Sequence, residues 1–250
     1  MSRIYPVLLS GGTGSRLWPV SRAQMPKQLM PLLSDRSPLQ ETAARLAGMA
    51  DIAPPLVIAN ADHRFLIAAQ LQELGITPTA LVLEPIGRNT AAAAAVAAKI
   101  IGDLDAEGIL MLLPADHHIP DAEGFRQAAQ QSATYADRGH IVTFGITPRS
   151  SETGYGYIKR GAALGDDAFA VAQFCEKPNF ATAQSFLADG GYDWNSGIFM
   201  ARADVLTDEM KALCPDIVAS CDSAIAGSYR DLDFLRLDES AFKACPSVPF

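Results

Sequence analysis

Leu9-Ser10-Gly11-Gly12-Thr13-Gly14-Ser15-Arg16-Leu17-Trp18-Pro19, followed by Pro26-Lys27-Gln28, is the stretch on which the reading of this chain turns. It begins where an apolar run, residues 4–9, breaks into glycines. Glycines at the end of a buried strand let backbone N–H groups approach a phosphate without side-chain obstruction. Two common nucleotide fingerprints fail here. A P-loop needs a lysine followed by Ser or Thr after its last glycine, and none stands in register. The dinucleotide pattern Gly-x-Gly-x-x-Gly fails at Leu17, which occupies the place of the third glycine.

Outward from this loop, apolar runs alternate with helical patterns. Strands are expected at residues 4–9, 56–59, 81–83, 109–113 and 141–144, and helices around 38–46, 62–75, 90–101 and 125–136. Ser37-Pro38-Leu39-Gln40 has the form of a capping box with Pro in the first turn. Asp62 is the expected cap of the next helix and Gly75 its end. The strands are apolar throughout rather than alternating, so both sheet faces are buried. The expected class is α/β: a Rossmann-like mixed, mainly parallel sheet with helices on both faces. Ligands in such sheets bind beyond the carboxyl ends of the strands, here residues 11–16, 84–90 and 114–117. After Thr147 the pattern changes. Gly154-Tyr155-Gly156-Tyr157 enters a hairpin, followed by strand at 171–175, helix at 180–187, strand at 194–200 and helix at 205–213.

Composition excludes several classes. The 250 residues are 49% hydrophobic with a formal net charge of -8, which fits a folded chain and opposes non-specific nucleic-acid binding. Residues 91–101 are mostly alanine and include Lys99, the mark of a buried helix rather than a membrane span. Cys175, Cys214, Cys221 and Cys245 form no Cys-x-x-Cys pair, and free thiols in a reducing compartment are expected. Residues 4–9 are too short for a signal peptide, so the expectation is a cytoplasmic protein, with homo-oligomerisation left open.

The candidate chemistry is that of anions. Gly11, Gly12 and Gly14 supply backbone donors, Arg16 a guanidinium fork and Lys27 a point charge. The plain alternative is a glycine turn with two surface cations. Asp116 ends an apolar strand and offers hard oxygens to Mg²⁺, or caps a helix. His117 and His118 are poor Mg²⁺ ligands and read as structural. Gly87-Arg88-Asn89-Thr90 precedes the alanine-rich helix, where Asn89 or Thr90 would also serve as an ordinary cap. Glu176-Lys177 follows a strand and is otherwise an exposed ion pair.

Taken together, Gly11–Leu17, Trp18-Pro19, Ser21-Arg22 and Pro26-Lys27-Gln28 resemble the signature of sugar-1-phosphate nucleotidylyltransferases, in the branch of the mannose-1-phosphate guanylyltransferases. Further matches stand in family order at Glu84–Thr90, Leu113–His117, Gly154–Ile158, Glu176-Lys177-Pro178 and Trp194-Asn195-Ser196-Gly197. The resemblance implies the fold of the nucleotide-diphospho-sugar transferases. It implies the reaction of GTP with mannose 1-phosphate to GDP-mannose and pyrophosphate, with Mg²⁺ as cofactor. It places Arg16 and Lys27 on the departing pyrophosphate and Gly87 and Asn89 at the purine. Asp116 goes on the metal, and Gly156, Glu176, Lys177 and Asn195 go on the sugar phosphate. Other nucleotidyl transfers of this kind, or a catalytically silent subunit that binds a sugar nucleotide, are the alternatives. The resemblance also implies a second metal-binding aspartate after a Cys-Pro-Ser segment. Cys245-Pro246-Ser247 begins that approach, and residues 241–250 hold no acid. Residues 1–250 are therefore expected to be a single catalytic domain truncated at its C-terminal end, one that binds GTP and turns over poorly by itself.

Overall fold

The computed structural model describes residues 2–12, 21–22, 24–165 and 167–250. It divides into two compact units: Met1–Val142 with Phe199–Phe250, and Thr143–Ile198.

The first unit is built on parallel strands. β1 (Ile4–Ser10) lies between β2 (Leu56–Asn60) and β4 (Ile109–Pro114), and β3 (Ala80–Glu84) lies outside β2, all parallel. β10 (Phe234–Arg236) extends the parallel set beyond β3, and β9 (Tyr229–Asp231) closes that edge antiparallel. On the other side, residues 199–202 of β8 (Tyr192–Arg202) pair antiparallel with β4. The mainly parallel sheet expected from the continuous apolar runs is therefore present, with antiparallel strands at its margins.

Helices cover the sheet because its strands are buried on both sides. Tyr5, Val7, Leu56, Ile58, Val82, Leu110 and Leu112 join one cluster with α3 (Asn89–Leu104), α6 (Ala203–Leu213), α7 (Pro215–Ala226) and α8 (Glu239–Ala244). The intervening residues Ile4, Leu8, Val57, Ile109 and Met111 are fully buried as well. α1 (Pro38–Arg45) packs on β1 and α4 (Ala122–Asp137) on β4. α3 carries a buried run of small residues from Ala91 to Ala98, and their size lets α6 and α7 pack closely against it.

Local chemistry sets the helix ends. α1 has the expected capping box: Gln40 N–H donates to Ser37 Oγ, and Ser37 N–H to Gln40 Oε1. Gly75, with φ +67, follows α2 (Arg64–Glu73) as expected. The expectation for Asp62 fails. Asn60 accepts the N–H of Asp62 and caps a 3₁₀ turn, Ala61–His63, that precedes α2, so Asp62 lies inside the turn. Neither Asn89 nor Thr90 is an ordinary cap of α3. Asn89 is its first residue with φ +63, Arg88 precedes it without a side-chain cap, and Ala91 N–H donates to Val248 O.

The second unit is an antiparallel assembly. β6 (Tyr157–Ala163) forms a hairpin with β7 (Phe169–Cys175) and pairs on its other side with residues 192–194 of β8. β5 (Val142–Ile146) also pairs with β8. α5 (Phe180–Asp189) is capped by Asn179 and ended by Gly190 at φ +75. A small aromatic core of Tyr157, Tyr192, Phe186 and Trp194 packs with Ala183.

Candidate functional site

In the first unit the candidate residues gather where parallel strands end. Strand registers bring Ser10 level with Ala59, Leu9 with Pro114, and Asn60 with Glu84. The residues that follow β1 and β4, together with Glu84 at the end of β3, therefore share one edge of the sheet. The N–H of Ala115 donates to Leu9 O and fixes Asp116 one residue beyond.

Lys27 reaches that edge. Its Nζ lies 2.5 Å from Asp116 Oδ2, with roughly a third of each side chain exposed. Gln28, which is buried, donates from Nε2 to Gly12 O at 2.7 Å. In Pro26-Lys27-Gln28, Lys27 carries charge to the strand end and Gln28 holds the carbonyl of Gly12. Sequence reasoning assigned Lys27 and gave Gln28 no role. Gly14 and Arg16 lie outside the described residues.

Glu84 also has no role assigned from the sequence. It is 4% exposed, and Oε1 has no hydrogen-bond partner among the described residues. A Cβ added to Gly11 would stand 2.7 Å from its Oε2. Gly11 therefore has a structural reason to be glycine: a buried carboxyl occupies the space a side chain would fill. Burial pushes the Glu84 carboxyl up to about 7. Its position in Glu84-Pro85, at the end of an apolar strand, was the available signal.

The loop after Glu84 divides its labour. Gly87 faces open space. Asn89 holds a left-handed backbone, and its Oδ1 accepts from Thr90 N–H. Arg88 points elsewhere, donating to the carbonyls of Phe242 and Lys243 at the end of α8. Thr90 Oγ1 accepts from the N–H of Phe250. His117 has a structural part, its carbonyl accepting from Arg45, while burial lowers the pKa of its imidazole.

Among the described residues, no three His, Cys, Asp or Glu side chains come together as metal ligands. Asp116 is a single hard carboxylate. That suits a Mg²⁺ whose remaining ligands are phosphate oxygens and water, and does not suit an ion caged by protein alone.

The second unit brings all four of its candidates together. Asn195 N–H donates to Gly156 O at 2.8 Å. A Cβ on Gly156 would stand 2.9 Å from Glu176 Oε2 and from Phe174 Cζ, so a side chain there would displace the ends of those two side chains. Glu176 Oε1 pairs with Lys177 Nζ at 2.6 Å, and both side chains are more than half exposed. Lys177 has φ +44, a strained conformation for a residue with a side chain, and its N–H donates to Tyr155 O. Tyr155 meets Trp194 edge to face with centroids 5.2 Å apart.

Comparison with known proteins places the chain. Residues 5–240 match the model of the nucleotidyl transferase family. The chain belongs to that family. It is 50% identical over 247 residues to the xanthan biosynthesis protein XanB of Xanthomonas campestris pv. campestris strain B100, covering 99% of this chain and 52% of that protein. It is 48% identical over 251 residues to the mannose-1-phosphate guanylyltransferase ManC of Salmonella typhimurium LT2, covering 98% and 52%. Among solved structures it is similar to mannose-1-phosphate geranyltransferase from Thermus thermophilus, with a TM-score of 0.84 at 31% identity, covering 99% of this chain and 69% of that one. The chain spans about half the length of the curated relatives it matches. The family fold expected from the motifs is thus established.

Proposed function

We propose that this chain transfers a guanylyl group from GTP to mannose 1-phosphate, giving GDP-mannose and pyrophosphate. The observation that carries the choice of base is Glu84. A buried carboxylate whose Oε1 has no partner among the described residues is complementary to the two adjacent donors of guanine, N1–H and N2–H₂. Uracil and thymine offer one N–H flanked by carbonyl acceptors, which a carboxylate repels. The relatives named mannose-1-phosphate guanylyltransferase support the same reading.

The chemistry asks little of acid–base catalysis. The nucleophile is a phosphate oxygen already ionised, so catalysis rests on position and charge. Gly11, Gly12 and Gly14 take the triphosphate on their backbone, with Gly87 and Asn89 beside the base. Lys27, now held by Asp116, exchanges that carboxylate for phosphate oxygens. Arg16 acts with it on the pyrophosphate as charge builds there. Mg²⁺, when bound with the nucleotide, neutralises phosphate charge, and Asp116 is the residue that would hold it. In the second unit Lys177 leaves Glu176 for the sugar phosphate, and the freed Glu176 accepts sugar hydroxyls. Gly156 admits the sugar to the backbone.

The chain is proposed to work in the cytoplasm. Among the described residues, no helix is long and apolar enough to cross a membrane. The test is pyrophosphate release across GTP, UTP and dTTP with several sugar 1-phosphates. Turnover highest with GTP and mannose 1-phosphate is expected, and preference for UTP or dTTP would overturn the reading.

A further inference from the structure

Asn195 has an amide whose orientation can be fixed from its surroundings. Gly197 N–H lies 3.1 Å from one terminal atom of the side chain. A backbone N–H can only donate, so that atom is the oxygen, Oδ1. Thr143 Oγ1 lies 3.0 Å from the same oxygen, closer than the 3.4 Å that separates it from Ile198 O, and donates to it. The oxygen thus has two donors, and Nδ2 carries no hydrogen bond among the described residues. Asn195 is half-buried in β8, its backbone tied to Gly156, and Glu176 stands on the other side of that glycine.

We infer that Thr143 is a positioning residue that locks Asn195 with its NH₂ outward, so that this asparagine acts on the sugar as a donor only. The inference rests on the proposed sugar-phosphate reading of this unit and adds a rule of recognition to it. The two sides of Gly156 then have opposite demands. Glu176 requires a ligand group that donates, and Asn195 one that accepts. A vicinal pair of sugar hydroxyls meets both, with one hydroxyl giving its proton to the carboxylate and its neighbour taking a hydrogen bond from the amide. Without the Thr143 hydroxyl, the amide keeps only the Gly197 N–H as its anchor, and rotation about χ2 presents oxygen or nitrogen to the sugar.

The experiment compares Thr143→Val, Thr143→Ser and Asn195→Asp with the parent protein, using mannose 1-phosphate and its four monodeoxy analogues. Thr143→Val keeps the β-branched shape of a strand residue and removes only the hydroxyl. It is expected to raise KM for mannose 1-phosphate about tenfold, the scale of one lost hydrogen bond, with KM for GTP within twofold. Thr143→Ser restores the donor and is expected within twofold of the parent. For the one analogue lacking the hydroxyl that Asn195 serves, the penalty seen in the parent should vanish in Thr143→Val. Asn195→Asp, which replaces donor by acceptor, should lose at least as much as Thr143→Val. Thr143→Val behaving like the parent while Asn195→Asp fails would overturn the inference and leave the sugar reading standing. Thr143→Val weakening GTP as much as the sugar would assign it a general structural part and also overturn the inference. Asn195→Asp with an unchanged sugar KM would instead remove the sugar reading itself.

Discussion

The two units hold their candidate residues in opposite ways. In the first, charge is placed where four parallel strands end, against a sheet whose central residues are fully buried. Glu84 is enclosed, and Lys27 and Asp116 are two-thirds covered. In the second, Glu176 and Lys177 lie mostly in water on the far end of an antiparallel hairpin, and β7 exposes Phe169, Val171 and Phe174. A buried charged group is held rigidly and loses solvation, while an exposed pair is easily broken and remade around a ligand. The difference suits the proposed division: discrimination between bases by an enclosed carboxyl, capture of a sugar phosphate by a lysine that trades one anion for another.

The comparison breaks first at Lys27. Lys27→Ala is expected to lower kcat by roughly a hundredfold to a thousandfold, the scale for removing one stabiliser of developing charge. Because the side chain is partly exposed, the variant should fold, which a thermal melt will check. Near-parent kcat would return Lys27 to a surface partner of Asp116.

Next in size is the stability effect of Glu84. Its folded-state pKa of about 7 stands above the ordinary 4.5. The proton is therefore held more tightly in the folded chain. The stability this contributes is complete below pH 4.5 and is lost as pH rises through 7. Glu84→Gln, neutral at every pH, should flatten stability between pH 5 and 8. At pH 8 it should be more stable than the parent by on the order of 3 kcal/mol. Urea titrations at the two pH values measure this, and parallel pH dependences would show that Glu84 is not desolvated in the folded state.

Lys177→Ala sharpens the contrast from the other side. A charged hydrogen bond of about 1.5–3 kcal/mol corresponds to a loss of roughly tenfold to a hundredfold in kcat/KM for mannose 1-phosphate. GTP affinity and thermal stability should remain at parent values, since the side chain is exposed. Steady-state kinetics with calorimetric GTP binding would check both, and a matching fall in GTP affinity would contradict the division between units.

The smallest effect is a matched pair. Gly75 ends α2 in one unit and Gly190 ends α5 in the other, both at positive φ. Alanine at either should cost about 1 kcal/mol, because L-residues avoid that conformation. Equilibrium unfolding of the two variants tests whether local backbone chemistry is alike in units whose sites are so different.

The same contrast explains what could be read from the chain. The first unit's strands were legible because burial on both faces leaves an unbroken apolar run, as in residues 109–113. The capping box at Ser37 and Gln40 was legible because its two hydrogen bonds are local. α7 begins at Pro215, with Asp216 in its first turn, a start signal of Pro at the first helical position. β9 and β10 are three residues each and turn at Leu232, which takes φ +56 without a glycine to announce it. The candidate residues without a sequence signal depend on distant partners. Gln28 donates to Gly12, and Thr143 donates to Asn195 from 52 residues away. Glu84 had the right address at a strand end, but that its Oε1 has no partner among the described residues is a property of the packed sheet.

The central claim, that the first unit reads the base through the enclosed Glu84 carboxyl and the second reads the sugar phosphate, is tested most directly by inosine triphosphate, which keeps N1–H and lacks the 2-amino group. The measurement is the ratio of kcat/KM for GTP over ITP in the parent, Glu84→Gln and Lys177→Ala. The account predicts a preference for GTP of about tenfold or more in the parent, as expected when a buried acceptor loses its donor. The preference should be largely lost in Glu84→Gln and intact in Lys177→Ala. A GTP-to-ITP ratio unchanged by Glu84→Gln would contradict it.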